Sequence, residues 1–125
     1  MINREGGRST LADCIFCKIA DHELKSDTVY EDEQVIAFRD LNPQAPVHVL
    51  IVPKRHIESV NAFETSDGEI VSHIFVEVAP KLARQLGIDE SGFRLVVNTG
   101  KQGGQTVGHL HVHLLGGRDM KWPPG

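Results

Sequence analysis

With 125 residues, 40% hydrophobic and 24% charged, the chain is long enough for one buried core and too short for two. A formal net charge of −4 argues against a nucleic-acid partner, whose phosphates call for an excess of Lys and Arg, but leaves a small phosphate ligand open. No run reaches the roughly 18 apolar residues of a membrane helix, so no membrane partner is expected.

Met1 to Thr10 is polar, lacks the apolar core of a secretion signal, and reads as a flexible tail ahead of a single domain over 11–125. Cys14 and Cys17 are the only cysteines and are spaced CxxC. In a chain without a signal this favours a metal or redox pair over a structural disulfide, and the expected compartment is the cytoplasm.

Asp13 is the expected cap of a short helix reaching Asp21, with Ile15, Phe16 and Ile19 on its apolar face. Val29-Tyr30 and Val35 to Phe38 predict a hairpin around a polar turn, with Glu31-Asp32-Glu33 solvated and carrying no site. Leu41 to Pro46, holding two prolines, is a loop. Val47 to Val52 is a nearly continuous apolar run and reads as a central strand stopped at Pro53. Asp67 to Leu86 has the helical period, with Ile70, Val71, Ile74, Phe75, Val78, Leu82 and Leu86 as one stripe, Pro80 as a kink and Gly87 as the stop. Phe93 to Val97 is a further strand, Lys101 to Gly104 a flexible loop, and the tail from Gly116 to Gly125 irregular. The order is not alternating βαβ, so these elements predict an α+β fold with an antiparallel sheet.

The densest chemistry lies in the last strand, where His109, His111 and His113 alternate with Leu110, Val112 and Leu114 after a glycine-rich turn. Successive side chains of a strand point to opposite faces, which puts three imidazoles in one row and the apolar residues into packing. Imidazole titrates near neutrality, so such a row can bind metal, hold phosphate or attack as a nucleophile.

The run His109-x-His111-x-His113, with Cys14-Ile15-Phe16-Cys17-Lys18-Ile19, Ala37-Phe38-Arg39-Asp40, Val52-Pro53-Lys54-Arg55-His56, Val97-Asn98 and Gly103-Gly104-Gln105-Thr106, resembles the histidine triad (HIT) superfamily. The ending Leu115-Gly116-Gly117-Arg118 followed by Trp122-Pro123-Pro124-Gly125 is similar to its Hint branch of purine nucleoside phosphoramidases. The resemblance implies a five-stranded antiparallel sheet with one short and one long helix, extended across a homodimer. It implies a purine nucleotide partner (AMP, GMP or their phosphoramidates) and His111 as the nucleophile on the α-phosphorus, a sensible role for a neutral imidazole if a backbone carbonyl or another histidine holds its opposite N–H.

By the same resemblance, His113, Asn98, Gly104, Gln105 and the Thr106 hydroxyl surround the phosphate. Thr106 stands in place of a commoner serine. Asp40 matches the residue that binds the ribose, Phe16, Ile19, Phe38 and Leu41 the apolar slot for the base, and His48 a histidine orienting the triad. Trp122 matches an aromatic near the partner subunit's site. Gly108 departs from the larger residue that relatives carry before the triad. His22 and His73 have no motif around them and read as surface residues.

Two cysteines on a short helix also serve as small buried apolar groups. The resemblance to zinc-bearing members joins Cys14 and Cys17 to His56 and His109, a closed tetrahedral Zn2+ site that staples the first helix to the sheet. That combination departs from the many Hint-branch members without the cysteines. The rival readings are a catalytic His₃ metal site, a hydrolase of dinucleoside polyphosphates, and a non-catalytic nucleotide- or protein-binding module.

Overall fold

The computed structural model describes residues 13–125, so the predicted tail Met1 to Thr10 lies outside the described residues. Strands β1 (Thr28–Glu31), β2 (Val35–Arg39), β3 (Val47–Pro53), β4 (Phe93–Val96) and β5 (Val112–Gly116) form one sheet in the order β1-β2-β3-β5-β4. Every neighbouring pair is antiparallel. The central position expected of the Val47–Val52 run is the observed one: β3 pairs on both sides, and both of its faces are covered.

Alternation assigns the faces. Val35, Ala37, Val49, Ile51, Val112 and Leu114 pack against the long helical segment through Ile74, Val78 and Leu82, forming the larger core. Ile36, Phe38, Leu50 and Val52 turn the other way and bury Phe16, Ile19 and Ala20 of helix α1 (Ile15–Ala20). The sheet is thus covered on one face by a long helix and on the other by a single short one. A helix of six residues leaves part of that second face uncovered.

Three expectations need correction. Asp13 sits in an exposed turn, and Cys14 caps α1 instead, its Sγ accepting from the Cys17 amide at 3.4 Å. The long helix is not uniform: α2 (Gly68–Ser72) passes through a π-helical stretch (His73–Val78) into α3 (Ala79–Gln85). Pro80 has no N–H to continue an α ladder, and it falls in the first turn of α3, where none is required. The wider turn rotates the apolar stripe, leaving Phe75 39% and Val76 69% exposed where the regular period places Phe75 inside. None of these helices is long and apolar enough to cross a membrane.

The third correction concerns Asp32 and His73. Asp32 Oδ1 accepts the amides of Gln34 and Val35 and so shapes the hairpin turn, while its Oδ2 accepts from Tyr30 Oη and lies 2.6 Å from His73 Nε2. His73 Nδ1 lies 2.6 Å from Glu77, so the ring bridges the hairpin to the π-helical stretch. His22, by contrast, is the surface residue expected, paired with Glu31 at 2.7 Å.

Burial pushes the Asp32 carboxyl up, but the bonds from Tyr30, His73 and the two amides outweigh it and bring the pKa to about 2. For His73 burial acts downward, and Asp32 and Glu77 outweigh it to raise the pKa above its ordinary value of 6.5. A depressed carboxylate contributes stability above its ordinary pKa of 3.8 and loses it toward pH 2. A raised histidine contributes fully below 6.5 and loses its share as pH rises through the raised value. The urea midpoint of His73→Gln should therefore fall furthest below wild type between about pH 4 and 6.5, the gap narrowing on either side. A gap independent of pH would refute the clamp.

Candidate active site and metal centre

The uncovered part of the α1 face holds a cavity of about 240 Å³. Its walls cross the sheet: His111 and His113 at β5, Leu50 on β3, Phe38 and Arg39 on β2, and Lys25 to Asp27 just before β1, with Phe16 and Ile19 of α1 above. Asp40 and Leu41 continue from β2, and Thr106 and Val107 close the end nearest the histidines.

Only His113 of the three histidines belongs to a strand. β5 begins at Val112, and His109 to His111 form an irregular lead-in. The amide of Leu110 bonds at 2.6 Å to the carbonyl of Ile57, outside the sheet. The alternation of faces nevertheless holds, since Leu110, Val112 and Leu114 enter the helix-side core. His111 and His113 lie with ring centroids 5.0 Å apart.

Hydrogen bonds assign each ring a tautomer. His111 Nδ1 lies 2.7 Å from the carbonyl of His109, an acceptor, so Nδ1 carries the proton and Nε2 keeps a lone pair. The ring is only 5% exposed, with Phe16 edge-on at 5.1 Å. His48 is set from the opposite side: the backbone N–H of Gln44 donates to its Nδ1 at 3.0 Å, so the proton resides on Nε2. That Nε2 lies 2.9 Å from His113 Nδ1 and 3.4 Å from Asp40. His113 therefore accepts at Nδ1 and carries its own proton on Nε2, a buried nitrogen with no hydrogen-bond partner among the described residues.

Burial lowers the His48 pKa, with Asp40 opposing. Burial, then the neighbouring His111 and His48, bring His113 to about 4. Both rings are neutral at pH 7, and the site offers one imidazole lone pair beside one imidazole N–H.

His109 has turned away from the cavity. It is fully buried, and its Nε2 lies 2.8 Å from the carbonyl of Pro53, which places the proton there and leaves Nδ1 as the ligand atom. Burial, opposed by that Pro53 bond, holds its pKa at about 4. Nδ1 lies 3.3 Å from Cys14 Sγ and 3.5 Å from Cys17 Sγ, and Cys17 Sγ is 3.3 Å from His56 Nδ1. An ordinary tetrahedral site with Zn–S near 2.3 Å and Zn–N near 2.0 Å has S···N edges of about 3.5 Å, so the four atoms stand at ligand spacing. Cys14, Cys17, His56 and His109 can together hold a metal ion. The bond from Leu110 to Ile57 and the ion pair of Arg55 with buried Asp67 fix the segment that carries His56.

The HIT domain model matches residues 21–120. The chain belongs to the HIT family. An uncharacterized HIT-like protein of Synechocystis is 48% identical over 113 residues, covering 90% of this chain and 97% of that protein. The crystal structure of a HIT family hydrolase from Legionella pneumophila is 50% identical, with a TM-score of 0.88 over 90% of this chain and 100% of that one. A histidine triad nucleotide-binding protein from Candida albicans is 32% identical, with a TM-score of 0.77 over 89% and 83%.

Of the residues that HIT resemblance places at the phosphate and base, Phe16, Ile19, Phe38, Asp40, Leu41, Thr106, His111 and His113 line the cavity, and His48 backs it. Leu41 stands at the lip, 99% exposed. Gly104 and Gln105 border a neighbouring open groove instead, where Gly104 makes its turn at φ 82°. The Gln105 side chain donates to the carbonyls of Glu58 and Val107 and accepts from Gly100, and its amide bonds to Gly100. Gln105 thus bolts the glycine-rich loop, with its donors committed within the chain. Asn98 and Trp122 lie outside the cavity lining, and Trp122 is 82% exposed.

Lys25, Ser26, Asp27, Arg39, Leu50 and Val107 also line the cavity and went unpredicted. Leu50 was legible, being two residues from His48 on the same strand face. The loop residues before β1 carry no periodic signal.

Proposed function

We propose that this HIT-family chain is a hydrolase of purine nucleoside 5′-phosphoramidates, and of aminoacyl- and lysyl-adenylates, which it converts to the nucleoside monophosphate through a nucleotidyl-His111 intermediate. The observation that carries the reading is the His111 tautomer: with Nδ1–H held by the His109 carbonyl, the Nε2 lone pair is free for attack. From β5 to β1 the cavity crosses three strand spacings, roughly 14 Å, enough for a nucleotide with phosphate at the histidines and base in the apolar slot.

In the first step His111 Nε2 attacks the α-phosphorus and the bond to the leaving group breaks: from a phosphoramidate the amine departs with a proton delivered from solvent through the Thr106 hydroxyl, and from an acyl-adenylate the carboxylate departs as the anion. Thr106 borders both the cavity and the neighbouring groove, so the leaving group has a way out. In the second step water attacks phosphorus, its proton goes to solvent, and the N–P electron pair returns to Nε2. Throughout, His113, whose ring lines the cavity, donates its otherwise unused Nε2–H to a phosphoryl oxygen, a neutral donor where charge accumulates. Asp40 holds the ribose hydroxyls.

The reading includes zinc at Cys14, Cys17, His56 and His109 as a structural ion, for which two thiolates and two imidazoles in a closed set are the fitting donors. It also includes a homodimer in the cytoplasm. Exposed Phe93 lies on edge strand β4, and exposed Val60 and Phe75 border Val97 just beyond it, a surface that suits a second copy of the chain.

Purified protein offered an adenosine phosphoramidate, an AMP–lysine conjugate and a diadenosine polyphosphate side by side should turn over the first two at least tenfold faster. Preference for the third would make it a dinucleoside polyphosphate hydrolase. Turnover of none would leave the binding module.

A further inference from the structure

The donor set of the site depends on a proton that could sit elsewhere. The pair His48–His113 has a mirror arrangement in which His48 carries its proton on Nδ1 and His113 donates from Nδ1, leaving a lone pair, not an N–H, on Nε2 of a ring that lines the cavity. What excludes that arrangement is one backbone group, the N–H of Gln44 pointing at His48 Nδ1 from 3.0 Å.

Gln44 lies in a proline-containing loop outside any helix or strand, so something must hold it. Its side chain donates to the Asn42 carbonyl at 3.0 Å, a contact within the same loop. The long-range anchor is Arg118, 74 residues away, whose Nε donates to the Gln44 carbonyl at 2.9 Å. The guanidinium is itself oriented by a second bond, from Nη1 to the Asp119 carbonyl at 3.0 Å. The turn after β5 is also pressed on this loop. Gly117 has φ 91°, and a Cβ there would stand 2.9 Å from Pro46 Cβ, so a glycine is required for the approach.

We propose that the Gly117–Arg118 turn is a positioning device that holds Gln44 over His48 and thereby selects the tautomer in which His113 presents Nε2–H to the substrate. Arg118 touches neither substrate nor histidine; it acts through the Gln44 backbone, holding the carbonyl of the residue whose N–H faces His48. The charged and titratable groups facing the pair are Asp40 on the His48 side and His111 on the His113 side, and neither opposes the Gln44 contact.

The deeper role in turnover rests on the phosphoramidase reading, but the tautomer is read on the resting protein without substrate. Nitrogen-15 NMR of the imidazoles at pH 7 should show wild-type His48 and His113 both protonated on Nε2. In Arg118→Ala, an exposed side chain whose loss leaves the core intact, the Nδ1-protonated form of His48 should appear, with kcat reduced about tenfold and KM little changed. Gln44→Pro removes the N–H itself while keeping the carbonyl that Arg118 binds, and should give the same signature. A wild type with His48 protonated on Nδ1, or variants that keep the wild-type tautomer, would overturn the proposal even if the enzyme is active. Normal tautomers in a wild type inert to every substrate would support the device and refute the activity.

Discussion

His111→Ala should lower kcat for an adenosine phosphoramidate by at least roughly four orders of magnitude, the scale on which removal of an activated nucleophile acts. Among the described residues, no second imidazole lining the cavity can take its place. His109 is committed at Nε2 to the Pro53 carbonyl and at Nδ1 to the cysteines, and His113 presents an N–H where a nucleophile needs a lone pair. Binding should survive, because Phe16, Ile19, Phe38 and Leu50 remain around the base. Titration calorimetry with AMP should give a Kd within a few fold of wild type. Rapid quenching of the wild type with radiolabelled substrate should trap label on protein, and the variant should trap none. A variant retaining a tenth of wild-type turnover would remove His111 from the nucleophile's role.

The second large effect is on stability. Purified protein should carry one zinc per chain by elemental analysis, and Cys17→Ser should lose it. Cys17 is buried at 1% exposure and His109 at 0%, so an emptied site leaves thiols and imidazoles in the interior held to one another by weak sulfur contacts. The domain has a separate large core, so it should stay folded, with a loss of about 3 kcal/mol and a Tm lower by about 10 °C. Because the carbonyl of His109 also holds His111 Nδ1–H, metal loss should lower kcat severalfold even at temperatures where the fold is intact. A zinc-free wild type of unchanged stability after chelation would refute the assignment.

Histidine thus performs several distinct jobs here, and its surroundings assign them. A carbonyl on Nδ1 makes His111 a lone-pair group, an N–H on Nδ1 makes His48 a donor, and a carbonyl on Nε2 leaves the His109 Nδ1 lone pair toward the two cysteines. The Asp32–His73 contact adds a surface clamp between segments 41 residues apart.

Periodicity and resemblance made much of this legible from the residues alone. Alternation at 109–113 put the polar row on one face and the leucines and valine in the core, and the nearly continuous apolar run at Val47–Val52 identified a strand buried on both faces. These are properties of neighbours in the chain, expressed wherever the backbone is extended. Tertiary structure decided what depends on distant partners. It delayed the start of β5 to Val112, with Leu110 bonded to Ile57, rotated Phe75 outward in the π-helical stretch ahead of Pro80, and brought Lys25 to Asp27 to the cavity. It also decided where each imidazole proton resides. A tautomer depends on which carbonyl or amide faces the ring, and for His48 that amide is held by an arginine 74 residues beyond it in sequence, a relation no local pattern encodes.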